Sequence, residues 1–365
     1  MMQRSRSFGF ERYSGFYLLA GFIVVFSILS PNVFASLATL HSVAAGRSVS
    51  AILALAIVVP LVCGVYDLSV GANLNFTTIT VVTLLSKGWS IPFAIGAAVL
   101  AGAAIGVING FIVVRLKVNS FITTLGMASI IGATQVIVTN NRQPLPPPPT
   151  LTAWPAITQT KVFGFQIVVL YMLGIAVILW WMLRHTPFGR YLYAIGGSPE
   201  AARLSGVKVD RYTWLSLIVS GTLCGVAGVL YGSIAGPSLS FGSALLLPAF
   251  AAVFLGSTQI IPGRFNVWGS VLAIYVLATG VKGLQLLTDV QWLDPMFSGV
   301  ALVAAVAIAN GRQRAGAEGR RRRRSAQRDE SAHENADDRA VLTAANPSQS
   351  ATPPAPTSAH STVDN

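Results

Sequence analysis

Between Gly15 and Asn310 the chain carries only five carboxylates: Asp67, Glu200, Asp210, Asp289 and Asp294. So sparse a supply of acids cannot coat a soluble domain, whose charged fraction is typically about 25%. Here 10% of residues are charged and 53% are hydrophobic. The mean hydropathy is +0.63. The apolar residues come in runs, and about 20 helical residues cross the hydrocarbon of a bilayer. The expected spans are 15–35, 48–64, 68–86, 91–114, 120–139, 165–183, 212–235, 243–259, 266–283 and 294–310. The fold class is therefore an all-α polytopic membrane protein with about ten transmembrane helices, some of them broken.

An even number of spans puts both termini on one face, and Lys and Arg choose which. With the N-terminus inside, the inner side receives Arg4, Arg6, Arg12, Arg115, Lys117, Arg184, Arg190, Arg203, Lys208, Arg211 and Arg264. The outer side receives Arg47, Lys87, Arg142, Lys161 and Lys282. Eleven against five gives cytoplasmic termini. Three regions follow: a cytoplasmic N-terminal segment 1–14, a transmembrane domain 15–310 and a tail 311–365. The tail opens on Arg312, Arg314, Arg320 to Arg324 and Arg328, then turns to Ser, Ala, Pro and Thr. It is expected to be disordered. Its arginines suit a stop-transfer signal and anionic membrane lipid, rather than nucleic acid. Arg4, Arg6 and Arg12 precede Phe16–Leu29, and Val33-Phe34-Ala35 has the form of a cleavage site. A removable leader and a retained first span both fit, and the retained span is the expectation.

Asp67 stands at the edge of an apolar run, inside Gly64-Val65-Tyr66-Asp67-Leu68-Ser69-Val70-Gly71. A carboxylate at mid-bilayer costs about 2.5–3.5 kcal/mol on insertion scales. Gly64 and Gly71 bracket it and suggest a helix break whose backbone lines a cavity. Three roles remain open for Asp67: N-cap of the following helix, lining of a substrate path, or proton carrier. Asn73, Asn75, Thr77 and Thr78 continue the polar stretch. Asn75-Phe76-Thr77 has the form of a glycosylation sequon but falls in an expected span.

Gly102, Gly106 and Gly110 repeat every four residues, as do Gly228, Gly232 and Gly236, with Gly221 and Gly225 upstream. Small residues at this spacing make helix faces where backbones approach closely. Asn109 lies in the first face and is expected to hydrogen-bond across helices. The outer loop Asn140–Gly164 contains Pro144-Leu145-Pro146-Pro147-Pro148-Pro149, a stiff polyproline spacer. In the inner loop Arg184–Arg211, Ser198 before Pro199, with Glu200 in the first turn, reads as a helix start. Gly206 reads as its stop. A short helix on the inner face is expected there.

Cys63 and Cys224 both sit in apolar runs and match no disulfide or metal spacing. None of the lysines at 87, 117, 161, 208 and 282 follows a glycine, so the chain has no Gly-Lys-Ser/Thr phosphate loop. His41, His185, His333 and His360 form no metal motif. No nucleophile, base and orienter stand together. These absences suit a protein that moves a solute rather than transforms it.

Five blocks in order then resemble the inner-membrane permeases of ribose-type (monosaccharide) ABC importers. They are Asp67-Leu68-Ser69-Val70-Gly71; Gly106-Val107-Ile108-Asn109-Gly110 with Phe121-Ile122-Thr123-Thr124-Leu125-Gly126; Phe188-Gly189-Arg190 with Ala194-Ile195-Gly196-Gly197; Ala201-Ala202-Arg203-Leu204-Ser205-Gly206-Val207; and Ala251-Ala252-Val253-Phe254-Leu255-Gly256 with Val267-Trp268-Gly269. The resemblance spans about residues 48 to 310. It departs where Val65 and Tyr66 follow Gly64, costing one hinge glycine and adding an aromatic hydroxyl. Ser198 stands where the family often has Asn.

The resemblance implies a multi-pass permease subunit of the bacterial inner membrane, with no catalytic residue, metal or cofactor of its own. ATP would be bound by a cytoplasmic ABC ATPase, and an extracytoplasmic sugar-binding protein would deliver the solute. A second permease subunit, identical or not, would complete the path. Gly64, Tyr66, Asp67, Ser69, Gly71, Asn73 and Asn109 would form the path and helix break. Arg190, Gly196, Gly197, Ser198, Glu200, Ala201, Ala202, Arg203 and Gly206 would form the segment that couples to the cassette. The rival readings are a permease for branched-chain amino acids or nucleosides, and an ion-coupled secondary transporter. The absence of a second acid at membrane depth argues against the last.

Overall fold

The computed structural model describes residues 4–288, 290 and 292–307, with side chains from Tyr13 onward. Asp289 and the tail lie outside the described residues. The helices in chain order are α1 (Arg4–Leu29), α2 (Leu37–Gly46), α3 (Ser48–Val62), α4 (Val70–Ser86), α5 (Ile91–Val114), α6 (Ser120–Thr139) and α7 (Ala153–Gln159). A two-stranded antiparallel hairpin follows, β1 (Lys161–Val162) and β2 (Phe165–Gln166), pairing Lys161 with Gln166. Then come α8 (Ile167–His185), α9 (Pro187–Gly197), α10 (Pro199–Leu204), α11 (Val209–Ile234), α12 (Phe241–Gly256) and α13 (Val267–Thr288). The last described helix is α14 (Leu293–Ala307).

Among the described residues six helices are long and apolar enough to cross a membrane: Leu37–Val62, α5, α6, α8, α11 and α13. Tyr13–Leu29, α4, α12 and α14 are shorter apolar helices. The expected second span, 48–64, begins earlier than its composition suggested. Helical residues run from Leu37 and bend at Arg47, whose guanidinium pairs with Asp294 at 3.0 Å. The first helix ends at Leu29 rather than 35, because Ser30–Phe34 turns before Ser36 caps α2.

α3 is the hub. Every residue from Ser48 to Val62 is buried, and α4, α8, α9, α11, α12 and α13 all touch it. A helix apolar all round has no face for water and sits inside a bundle. α6 and α8, by contrast, leave most of their surface uncovered.

The α5 glycine series has a different partner from its sequence twin. A Cβ at Gly102 would meet the Gly221 carbonyl and Gly225 Cα. One at Gly106 would strike the Leu217 carbonyl, and one at Gly110 the Trp214 ring. The face on α11 that receives α5 is thus Gly221 and Gly225. Gly228 faces Leu74 and Thr77 of α4, and Gly232 abuts Val81 and Val82. Gly236 is no packing residue. It follows the end of α11 at φ +82 with nothing within 4 Å, so it is the helix stop.

The loop 140–164 is more built than a polyproline spacer. Its proline run is tethered by Ser86 Oγ donating to the Leu145 carbonyl at 2.8 Å. Beyond it α7 buries Trp154 against Val81, Val82, Leu85, Ala94, Ala98 and Val229. Ser233 Oγ donates to the Trp154 carbonyl at 2.7 Å, and Thr158 and Ser233 share a bond of 2.8 Å.

Candidate functional site

The candidate site is the non-helical segment between α3 and α4. α3 ends in a Schellman turn. Gly64 N–H donates to the Leu61 carbonyl at 3.0 Å, and Val65 N–H to the Pro60 carbonyl at 3.0 Å. Gly64 takes φ +80, a conformation that costs an L side chain about 1–2 kcal/mol. From Val65 to Ser69 the segment has no regular secondary structure, and its peptide groups need partners where water is scarce. α6 supplies them from its first two turns. Tyr66 N–H donates to Ser120 Oγ at 3.2 Å, and Leu68 N–H donates to Thr124 Oγ1 at 3.0 Å.

Asp67 is 2% exposed. Its Oδ1 accepts from Ser69 Oγ at 2.6 Å and Ser69 N–H at 3.1 Å, and its Oδ2 accepts from Ser220 Oγ at 2.8 Å. Asn109 Nδ2 donates to Ser69 Oγ at 2.8 Å. One chain of hydrogen bonds therefore joins α5, the break and α11. Ser220 lies eleven residues into α11 (220 − 209), about 16 Å along its axis. The network sits well inside the bundle.

This geometry settles the local role of Asp67 against the N-cap. The cap position of α4 is Ser69, whose carbonyl accepts Asn73 N–H at 2.8 Å. Asp67 closes the turn two residues earlier, and its second oxygen reaches another helix. Gly71 is not part of the break either. It lies in the first turn of α4 and lets that backbone meet Gly242 of α12. Next to it, Asn75 Oδ1 accepts from Gly242 N–H at 2.7 Å and Nδ2 donates to the Leu239 carbonyl at 3.0 Å. The sequon asparagine is a buried clamp between α4 and α12.

Asn73 Nδ2 donates to the Gly102 carbonyl at 3.2 Å, so it ties α4 to α5. The Asn73 and Asn109 side-chain oxygens and Thr123 Oγ1 are buried without a partner among the described residues. Buried acceptors in that state commonly hold water. Tyr66 is 39% exposed, and Gly64 is exposed as well.

Sequence reasoning found the break, Asp67 and Asn109. It missed Ser120, Thr124 and Ser220, which supply the partners. Ser216 and Ser220 stand four apart on α11, so a hydroxyl face was present in the sequence beside the glycine face. Nothing in one sequence says which helix such a face meets.

Within residues 184–211 the expected short helix is α10, and α9 precedes it. α9 buries Gly189, Leu192 and Ile195, and a Cβ at Gly196 would strike the Val62 carbonyl. Gly197 closes α9 with open space around it. α10 starts as the sequence proposes: Ser198 Oγ accepts from Ala201 N–H at 3.3 Å, with Pro199 first and Glu200 in the first turn. Its end repeats the α3 motif. Gly206 N–H donates to the Arg203 carbonyl and Val207 N–H to the Ala202 carbonyl, both at 3.0 Å, with Gly206 at φ +82. Ala202 is buried while Glu200, Ala201, Arg203 and Leu204 are exposed. Arg190 borders a cavity of about 500 Å³ with Arg184, Arg264 and Tyr193. Burial pushes the Tyr193 phenol above its usual range, against the opposing charge of Arg264.

The sequence relationships agree with this architecture. Residues 39–306 match the family described as branched-chain amino acid transport system / permease component. The ribose import permease protein RbsC of Escherichia coli (strain K12) is 30% identical over 301 residues, covering 80% of this chain and 91% of that protein. The fructose import permease protein FrcC of Rhizobium meliloti is 32% identical over 254 residues, covering 66% and 69%. A solved inward-facing ABC transporter of the metal-chelate type superposes at TM-score 0.49 with 15% identity, covering 82% of this chain and 97% of that one. With several apolar helices of membrane-crossing length and the family match over residues 39–306, the chain is a multi-pass membrane protein belonging to the branched-chain amino acid transport system / permease component family.

Proposed function

We propose that this chain is the permease subunit of an ABC importer in the bacterial inner membrane, forming the translocation path for a monosaccharide or similar small polar solute. The observation that carries the proposal is the break between α3 and α4. Its backbone and carboxylate are held at depth by hydroxyls of α6 and α11, and its Ser69 hydroxyl by an amide of α5. Non-helical backbone within a membrane bundle is tolerated where protein or a water-filled cavity satisfies it, and transporters place their paths there. The solute class is supported by the similar ribose, fructose and allose permeases.

In this proposal all ten apolar helices cross the membrane and both termini are cytoplasmic. Residues 1–14 and 311–365 flank the permease domain 15–310, with the tail arginines near anionic lipid. The chain carries no ATPase site and no cofactor. A cytoplasmic ABC ATPase binds ATP, an extracytoplasmic sugar-binding protein docks outside, and a second permease subunit completes the path. Cassette closure is felt by α9 and α10 through the exposed Glu200, Ala201 and Arg203. It reaches the break because Gly196 abuts the end of α3. Alternating access then shifts a population between inward- and outward-open states.

The test is uptake of labelled pentoses and hexoses by cells with and without the gene, repeated after ATP depletion and after collapse of the proton gradient. Loss of one sugar's uptake, sensitive to ATP and not to the gradient, is the expected outcome. Gradient-driven uptake would indicate a secondary transporter. Loss of branched-chain amino acid uptake alone would favour the solute named in the family description. Exchanging the charges with Glu200→Arg and Arg203→Glu should leave sugar uptake low while cassette ATPase activity persists. Normal coupling in that double variant would remove α10 from the mechanism.

A further inference from the structure

We propose that the cavity between the inner ends of α5 and α11 binds one anionic phospholipid of the inner leaflet. The cavity is about 570 Å³. Its rim carries Arg115, Lys208 and Arg211, alongside the ion pair of Arg203 with the Asp210 carboxylate. Among the described residues these three have no carboxylate partner, whereas Arg203 and Lys117 share Asp210 at 3.4 and 3.0 Å. Below the rim the wall is apolar: Val114, Trp214, Leu215 and Ile218. That wall continues onto the uncovered face of α5, where Val107 and Phe111 are exposed and the Phe111 ring lies 6.3 Å from that of Trp214. Trp214 is fixed there, its Nε1–H donating to the Val107 carbonyl at 3.1 Å.

The arrangement matches one kind of ligand. A phosphate at the rim meets three unneutralised cations, and an acyl chain below it covers apolar helix surface. Basic pockets between spanning helices on the cytoplasmic side hold anionic headgroups on this principle. An acidic surface of a cassette subunit would meet the rim but could not reach the α5 face inside the membrane. The inner-leaflet assignment rests on the orientation proposed above; the binding itself does not.

The test uses the full chain reconstituted in phosphatidylcholine vesicles containing either brominated phosphatidylglycerol or brominated phosphatidylcholine. Quenching of Trp214 is obtained as the difference between the wild type and Trp214→Phe. The bromolipid is present in both leaflets, so an inverted orientation leaves any lipid preference intact. Trp214 should be quenched preferentially by the phosphatidylglycerol. Arg115→Gln, Lys208→Gln and Arg211→Gln should each lower that preference by up to about fivefold. Asp210→Asn, which releases Arg203 and Lys117, should raise it, an effect that general damage to the fold would not produce. Equal quenching by the two lipids would overturn the proposal. So would displacement by millimolar inorganic phosphate, which would mark a free-anion site, or displacement by added cassette subunit, which would mark a docking surface.

Discussion

The molecule ends two helices with the same device and then uses the ends differently. At Gly64 and at Gly206 the chain forms a Schellman turn with φ near +80, and an aspartate follows within four residues. After Gly64 the aspartate is buried and its oxygens accept three hydrogen bonds from serines, two of them from Ser69 and one from α11. After Gly206 the aspartate side chain is 55% exposed and pairs with Lys117 and Arg203. The local stop is a property of glycine and the backbone. What the stop is for depends on what surrounds it. In the first case the surroundings are fixed dipoles at depth, in the second, mobile cations at the surface.

The largest expected effect separates the two aspartates. Asp67→Ala leaves the Ser69 and Ser220 hydroxyls and the Ser69 N–H unpartnered, and should lower stability in detergent by about 3 kcal/mol. Thermal unfolding of the purified chain would measure it. A gain in stability would mean that the buried carboxylate is a cost retained for transport, and would break the comparison. Next come the glycines. Gly64→Ala and Gly206→Ala both force an L side chain to φ near +80, at about 1–2 kcal/mol each. The first should lower the unfolding temperature of the whole chain. The second should only increase hydrogen exchange of α10 amides, and equal global effects would refute the distinction.

A smaller effect tests the exposed helix alone. Ser198→Ala removes the α10 cap and should cost about 1 kcal/mol, rescued by Ser198→Asp. It should be read as amide exchange in α10 and as reduced ATPase coupling, with α3 and α4 amides unchanged. The smallest is Asp210→Asn, at under about 1 kcal/mol, because surface ion pairs are screened by water and salt. Its effect should shrink further at high ionic strength. A larger loss, insensitive to salt, would mean that this aspartate too is held by its tertiary setting.

Much of the architecture was legible in the residues. The boundaries of α5 and α6 fall where the apolar runs and their flanking Ser, Pro and Lys put them. Ser198 with Pro199, and Gly206, mark α10 because caps and stops act within one turn of chain. Gly64 marked the break for the same reason. The errors have one physical source. Gly71 and Gly236 have the same composition as the features they were taken for. A glycine at a stop and a glycine at a contact differ only in what lies opposite. The cap reading of Asp67, one of three left open, fell similarly: its sequence neighbours permit a cap, but α4 starts from Ser69, and Ser220, more than 150 residues away, takes its second oxygen.

The sequence by itself determined the class of fold, the sparse placement of charge, the helix stops and the presence of one carboxylate at a break. These depend on transfer free energies and backbone conformations that act locally. Only the tertiary structure decided that α3 is the hub, that α5 meets Gly221 and Gly225, and that Ser120, Thr124, Asn109 and Ser220 close around residues 63–69. Hydrogen bonds and close backbone contacts between distant segments are short-ranged in space and carry no trace of distance along the chain. Their partners are fixed only when the helices pack.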